Sequence, residues 1–221
     1  MPDSKRITET REVREFSRVS LDGVGHLVIT QGDAESLVIE ADEQVMPRIT
    51  SVVDDGTLVI RLETGPWWQQ LGDALRMIRY DLTMREIEAI TLAGAGKIEA
   101  SGVSAERLDL TVSGVGSLGV DALSASDLSA VVSGAGSCNV TGRVESQDVT
   151  IKGAGSYRAP ELRSARAKAL VSGTGSITVN VDGTLDAKVS GAGSIRYHGE
   201  PTVFQRITGV GSIRGLDHRP E

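Results

Sequence analysis

Six serines, Ser117, Ser137, Ser156, Ser176, Ser194 and Ser212, recur every 18 to 20 residues, each directly after a Gly-x-Gly. A serine becomes a nucleophile only when a base takes its proton, and no base accompanies these at a fixed offset. Hydroxyls repeated at turns serve instead to satisfy backbone groups at the corners. Gly114 to Gly119 fits the dinucleotide pattern Gly-x-Gly-x-x-Gly, but it lies inside the repeat and lacks the long helix whose N-terminus would hold a pyrophosphate. Lys97 follows a Gly-x-Gly without the upstream glycine of a phosphate loop. His26, His198 and His218 have no partners at metal-ligand spacing and read as exposed surface residues. Arg107, Asp109, Asp127 and Asp148 are the residue types of a polysaccharide lyase or hydrolase, yet they stand singly in different repeats, as a solvated face does. The expectation is no catalytic residue, no metal and no cofactor.

The elements that carry these residues follow from the repeat itself. Seven Gly-x-Gly pairs occur, Gly94 and Gly96, Gly114 and Gly116, Gly134 and Gly136, Gly153 and Gly155, Gly173 and Gly175, Gly191 and Gly193, and Gly209 and Gly211. Two residues before each first glycine stands a branched apolar residue: Leu92, Val112, Val132, Ile151, Val171, Val189 and Ile207. Four residues after it the chain is apolar or apolar-bodied again, at Ile98, Leu118, Cys138, Tyr157, Ile177, Ile195 and Ile213. Alternation of such residues with small polar ones means strands. Glycines between strands mark a corner, where freedom to reach positive φ is useful, and the small residue between each pair is expected to tuck into that corner. The unit reads strand, corner, strand.

A unit of about 18 to 20 residues cannot bury both faces alone, so coils must stack with parallel strands about 4.8 Å apart. The predicted fold is all-β, a right-handed parallel β-helix, the hand following from the rule for parallel crossovers. Paired glycines and β-branched columns oppose a helical repeat, and the leucine and asparagine columns of leucine-rich repeats are missing. Residues 1–221 read as one domain, with irregular coils over 1–62, an amphipathic insertion over 63–78 and regular coils over 79–215.

Within the irregular part, Gly23-Val24-Gly25-His26 looks like a divergent eighth copy, and Ser36 to Ala41 and Thr57 to Leu62 are strand candidates, the second after the turn signal Asp54-Asp55-Gly56. Such a terminal section is expected to help cap the solenoid. One short helix is predicted near 66–77, with Pro66 in its first turn and Trp67, Leu71, Leu75 and Ile78 on one face. Both tryptophans, Trp67 and Trp68, lie there, so with Leu71 and Leu75 they form the candidate interaction surface, the alternative being a cap on the solenoid.

Net charge is −7 with no basic run, which argues against nucleic acid. The single cysteine, Cys138, falls in the apolar column and reads as a small buried residue. There is neither a signal-like apolar segment nor an 18-residue apolar run, so no membrane span is expected. The chain as written reads as cytoplasmic, or as belonging to the cell envelope or surface if a leader has been removed.

From Arg14 to Gly211 the sequence resembles the putative auto-transporter adhesin, head GIN domain family of bacteria, a domain of unknown function. The resemblance is carried by Phe16-Ser17-Arg18-Val19 with Gly23-Val24-Gly25, by Val28-Ile29-Thr30-Gln31-Gly32, and by Ser-Gly-Ala-Gly-Ser at 133–137 and 190–194. It implies a β-helical fold, no catalytic residues to transfer, and an association with exported or surface proteins. The functional expectation is a non-enzymatic structural or protein-interaction module, forming a homo-oligomer or binding an envelope protein. A glycan-binding, adhesin-like module is the alternative, with Tyr157 and Tyr197 as the aromatics that could stack on sugars, and a polysaccharide-active enzyme comes third.

Overall fold

The computed structural model describes residues 5–63, 65 and 78–216. Among these residues seventeen strands join in one continuous sheet that winds around an apolar interior. They are β1 (Arg6–Arg11), β2 (Arg18–Asp22), β3 (His26–Gln31), β4 (Ser36–Asp42), β5 (Ile49–Asp54), β6 (Thr57–Leu62), β7 (Arg79–Met84), β8 (Ala89–Leu92) and β9 (Lys97–Ser101), then β10 (Ser104–Val112), β11 (Ser117–Val132), β12 (Ser137–Ile151), β13 (Ser156–Val171), β14 (Ser176–Val189), β15 (Ser194–His198), β16 (Thr202–Ile207) and β17 (Ser212–Gly215).

The regular coils pair in parallel and in register, corner over corner. Leu118 lies over Ile98, Cys138 over Leu118, Tyr157 over Cys138 and Ile177 over Tyr157. Both predicted apolar columns are buried from Leu92 to Val189 and from Ile98 to Ile195, and open at the last coil, where Ile207 is exposed and Ile213 only partly buried. The burial pattern also reveals bends that the sequence did not announce. Along β11 the inward residues are Leu118 and Val120, then Leu123, then Leu128, Ala130 and Val132, so the inward parity changes twice within one strand. The first change falls at Asp121 and Ala122, where Ala122 takes φ 54. Each coil therefore has three sides, not two.

Gly23, Val24 and Gly25 do belong to the stack. β2 pairs in parallel with β8, and β3 with β9, so this corner lies against Gly94, Ala95 and Gly96 although about seventy residues separate them. On its other side lie β6, parallel to β2, and β7, parallel to β3. Antiparallel strands then cover that end: β5 on β6, β4 on β7, and β1 on β4. Asp55 and Gly56, both at positive φ, close the β5–β6 hairpin. The end is thereby protected by strands that cannot continue the parallel stack. Residues 66–77, with the predicted helix and with Trp67, Trp68, Leu71 and Leu75, lie outside the described residues. Ile78, the last of that apolar set, is buried, and its carbonyl accepts the His26 N–H at 2.9 Å. Among the described residues the helical elements amount to one 3-10 turn, Met46–Arg48.

The glycine pairs owe their identity to close approach. None of the fourteen in the seven regular pairs stands at positive φ. A Cβ added to Gly114, Gly134, Gly153 or Gly173 would instead overlap the carbonyl oxygen of the first glycine in the coil below. The residues between the glycines are not tucked in, as expected from the sequence, but project outward: Ala95, Ala135 and Ala192 are exposed, and Val115 and Val210 are 65% and 86% exposed. The backbones meet at the corner, so the side chains must leave it.

Candidate functional site

After each corner the chain enters a flat face built from a ladder of nine strands, β7, β3, β9, β11, β12, β13, β14, β15 and β17. Alternation on each strand aims the first and third residues outward. The first position forms the column Arg79, His26, Lys97 and then the six serines. The third forms Asp81, Val28, Glu99, Gly119, Asn139, Arg158, Thr178, Arg196 and Arg214.

At the N-terminal end of this face the charges are paired. Arg79 clamps Asp81 through three hydrogen bonds of 2.7 to 3.1 Å, and this pairing raises its pKa. Glu99 holds Lys97 at 2.6 Å and also His26. The hydrogen bond from Lys97, supported by His26 and opposed by partial burial, lowers the Glu99 pKa. His26 is thus a half-buried partner of Glu99, not a free surface histidine as the sequence suggested. His198 is half-buried as well, and His218 lies outside the described residues.

Toward the C-terminal end the face becomes hydroxyl-rich and basic. An open groove of about 530 Å³ runs across four coils there, lined by Ser156, Ser176, Ser194 and Ser212 with Arg158 beside them. The backbone N–H of each serine donates to a glycine carbonyl in the coil below, as Ser156 does to Gly136 at 3.0 Å and Ser194 to Gly175 at 3.1 Å. Their hydroxyls make no hydrogen bond to a described residue. The corner serine whose hydroxyl does bond the backbone is Ser172, one position before a glycine pair, to the Ile151 carbonyl at 3.2 Å. The reading of the post-glycine hydroxyls as backbone partners is therefore corrected: the stack satisfies the backbone and leaves them facing the groove.

The scattered charges considered for catalysis are partly gathered. Arg107, Asp109 and Asp127 line a cleft of about 700 Å³ with Glu86, Glu88 and Glu106, while Asp148 lies on a separate depression with Arg166 and Lys168. Within the cleft, Arg107 pairs with Asp109 at 3.3 Å, Asp127 accepts from the Ser146 hydroxyl, and Glu88 accepts from Ser17 at 2.7 Å. The dinucleotide-like Gly114 to Gly119 runs from a corner into β11, with no helix after it. Among the described residues no group of His, Cys, Asp and Glu could hold a metal ion, and no helix is long and apolar enough to cross a membrane.

Neither tyrosine proposed for stacking on sugars serves that purpose freely. Tyr157 is wholly buried, donating to Gln147 Oε1 at 3.2 Å, and Tyr197 is half-buried against the core. Gln147 in turn donates to the Ser164 hydroxyl at 2.8 Å, which donates to the Asn180 carbonyl at 2.9 Å. This polar chain inside the solenoid had no signal in the sequence beyond a glutamine in an apolar column.

A family model, putative auto-transporter adhesin, head GIN domain, matches residues 15–201. A solved structure of a putative adhesin from Bacteroides fragilis is similar over 97% of this chain and 99% of that one, at 26% identity and a TM-score of 0.89. A putative adhesin from Parabacteroides distasonis is similar over 97% and 98%, at 23% and 0.72. A structure from the same organism described as a putative lipid binding protein is similar over 96% and 97%, at 22% and 0.76. No curated protein matches the chain. Stacked coils with packed corners, and a family match that spans most of their length, lead to one assignment: the chain belongs to the head GIN domain family of putative auto-transporter adhesins.

Proposed function

We propose that the chain is a non-enzymatic adhesion module that assembles with a second copy of itself through its C-terminal coil. The observation that supports this is the asymmetry of the two ends. The N-terminal end carries antiparallel β1, β4 and β5, whereas β16 pairs only with β14, and β17 only with β15, among the described residues. Of the seven exposed large apolar side chains among the described residues, four fall on this last coil: Phe204, Ile207, Val210 and Leu216.

An unpaired strand edge recruits another strand, and a second copy offers an edge of the same kind with the same apolar neighbours. Full burial of four such side chains is worth about 6–12 kcal/mol. Association itself costs about 4–15 kcal/mol, so the assembly is concentration-dependent and not obligate. Light scattering across a concentration series tests it. The wild type should rise above the 23.3 kDa monomer mass, and Phe204→Glu/Ile207→Lys should stay at that mass throughout. A wild type that remains monomeric at every concentration would overturn the reading, and a mass increase that survives the double substitution would move the contact elsewhere.

A further inference from the structure

Charge is divided unevenly along the chain. Residues 1–151 hold 24 acidic and 13 basic side chains, net −11, while residues 152–221 hold 6 and 10, net +4. Three of these ten basic side chains lie where the post-corner face turns basic. Arg158, Arg196 and Arg214 are exposed, and they share one outward column in which Thr178 separates the first two and Arg196 lies directly beside Arg214. Two ladder steps, about 10 Å, separate Arg158 from Arg196, and one step, about 4.8 Å, separates Arg196 from Arg214.

Like charges directly opposite one another on a sheet repel, whereas at the other end of this face Arg79 is neutralised by Asp81 and Lys97 by Glu99. Among the described residues no ion pair is formed by Arg158, Arg196 or Arg214. Two positions before them in each coil stand Ser156, Ser194 and Ser212, with Ser176 likewise two before Thr178; all four line the groove, and among the described residues their hydroxyls have no hydrogen-bond partner. The column therefore offers guanidinium forks, which suit carboxylate or sulfate groups, next to a line of hydroxyls able to exchange hydrogen bonds with neutral sugar oxygens.

We propose that the C-terminal half of this face is a binding strip for an extended acidic polysaccharide, whose anionic groups are held by Arg158, Arg196 and Arg214 and whose hydroxyls meet the serine column. A long open groove across four coils fits a linear chain better than a compact ligand. Nucleic acid shares the charge but draws its affinity for a single strand from stacking on aromatic side chains, and of the two aromatic residues on these strands Tyr157 is buried and Tyr197 is half-buried against the core. The proposal does not depend on self-assembly, because the strip lies along the face and begins three strands before β17.

The test is binding of the full chain to polygalacturonate, with dextran as the neutral polymer and an oligo-dT strand as the competing polyanion. The wild type should bind polygalacturonate and not dextran, and weaken when salt is raised from about 0.05 M to about 0.3 M, where screening is short-ranged. Arg158→Gln/Arg196→Gln/Arg214→Gln should lose at least about tenfold in affinity, the order expected for losing one or more charge-assisted hydrogen bonds. Arg166→Gln/Lys168→Gln, which removes charge from another side of the same coil, should bind as the wild type does. All substituted positions are exposed, and thermal melting checks that each variant folds. Equal binding of dextran and polygalacturonate, unchanged affinity in the triple variant, or equal loss in the double variant would overturn the proposal. Preference for oligo-dT would overturn it in favour of nucleic acid.

Discussion

Tyr157 shows how a single residue can be read two ways from sequence and only one way in the fold. Its place in the apolar column pointed inward, its phenol pointed to a partner, and both are satisfied because Gln147 lies inside the same coil. Tyr157→Phe leaves the Gln147 carbonyl oxygen without that donor in a dry interior, which should cost about 1–3 kcal/mol, measurable as a shift of the urea midpoint with the slope unchanged. Cys138, next to it in the column, was legible as buried because its neighbours above and below are apolar. Burial pushes its thiol up to about 12 from an ordinary 9.0, and also raises Tyr157 well above 10.0. Above pH 9 the unfolded chain loses the thiol proton while the folded chain keeps it. The unfolded state then binds fewer protons, so stability falls as pH rises, and the full contribution is present below pH 9. Denaturant titrations in a pH series should show this alkaline decline, and Cys138→Val should delay its onset toward the range where exposed tyrosine ionises.

At the level of the element, the corner is the unit that sequence specified best, but for a reason different from the expected one. Glycine was read as supplying positive φ, whereas the coils approach so closely that a methyl group has no room. Two substitutions separate these causes. In Gly173→Ala the new Cβ would overlap the Gly153 carbonyl, so the coils must part, at a cost of about 3 kcal/mol or more. In Gly119→Ala, on the open face of β11, the nearest atom is 3.9 Å away, and stability should hold or rise by about 0.5 kcal/mol. Thermal melts of the pair decide the matter: equal losses would contradict close approach as the cause. The remaining bends were hard to read because their marking varies from coil to coil: Gly102, Gly142 and Gly199 take positive φ near the first bend, whereas in β11 Asp121-Ala122 and Ser126-Asp127 contain neither glycine nor proline and only the change of inward parity marks the turn. The three-sided coil follows from those bends.

Across the whole molecule, the period revealed the stack but not its order. Nothing local tells that β2 and β3 insert between β6–β7 and β8–β9, because that placement depends on pairing between strands far apart in sequence. The arginine column was likewise hidden. Arg158, Arg196 and Arg214 lie 38 and 18 residues apart, so a search for basic runs misses them. Aligning the third position of each coil, or comparing the charge of the two parts of the chain, would have found them. A solenoid whose corners are fully engaged in stacking leaves recognition to its outer faces and its ends, and among the described residues the C-terminal end is the one without covering strands. Hydrogen exchange measured at low and high protein concentration examines that end directly. Outward-facing amides of Thr202–Ile207 and Ser212–Gly215 should gain protection as concentration rises, while those of Arg6–Arg11 stay unchanged; exchange in β16 and β17 that is independent of concentration would contradict assembly through the C-terminal coil.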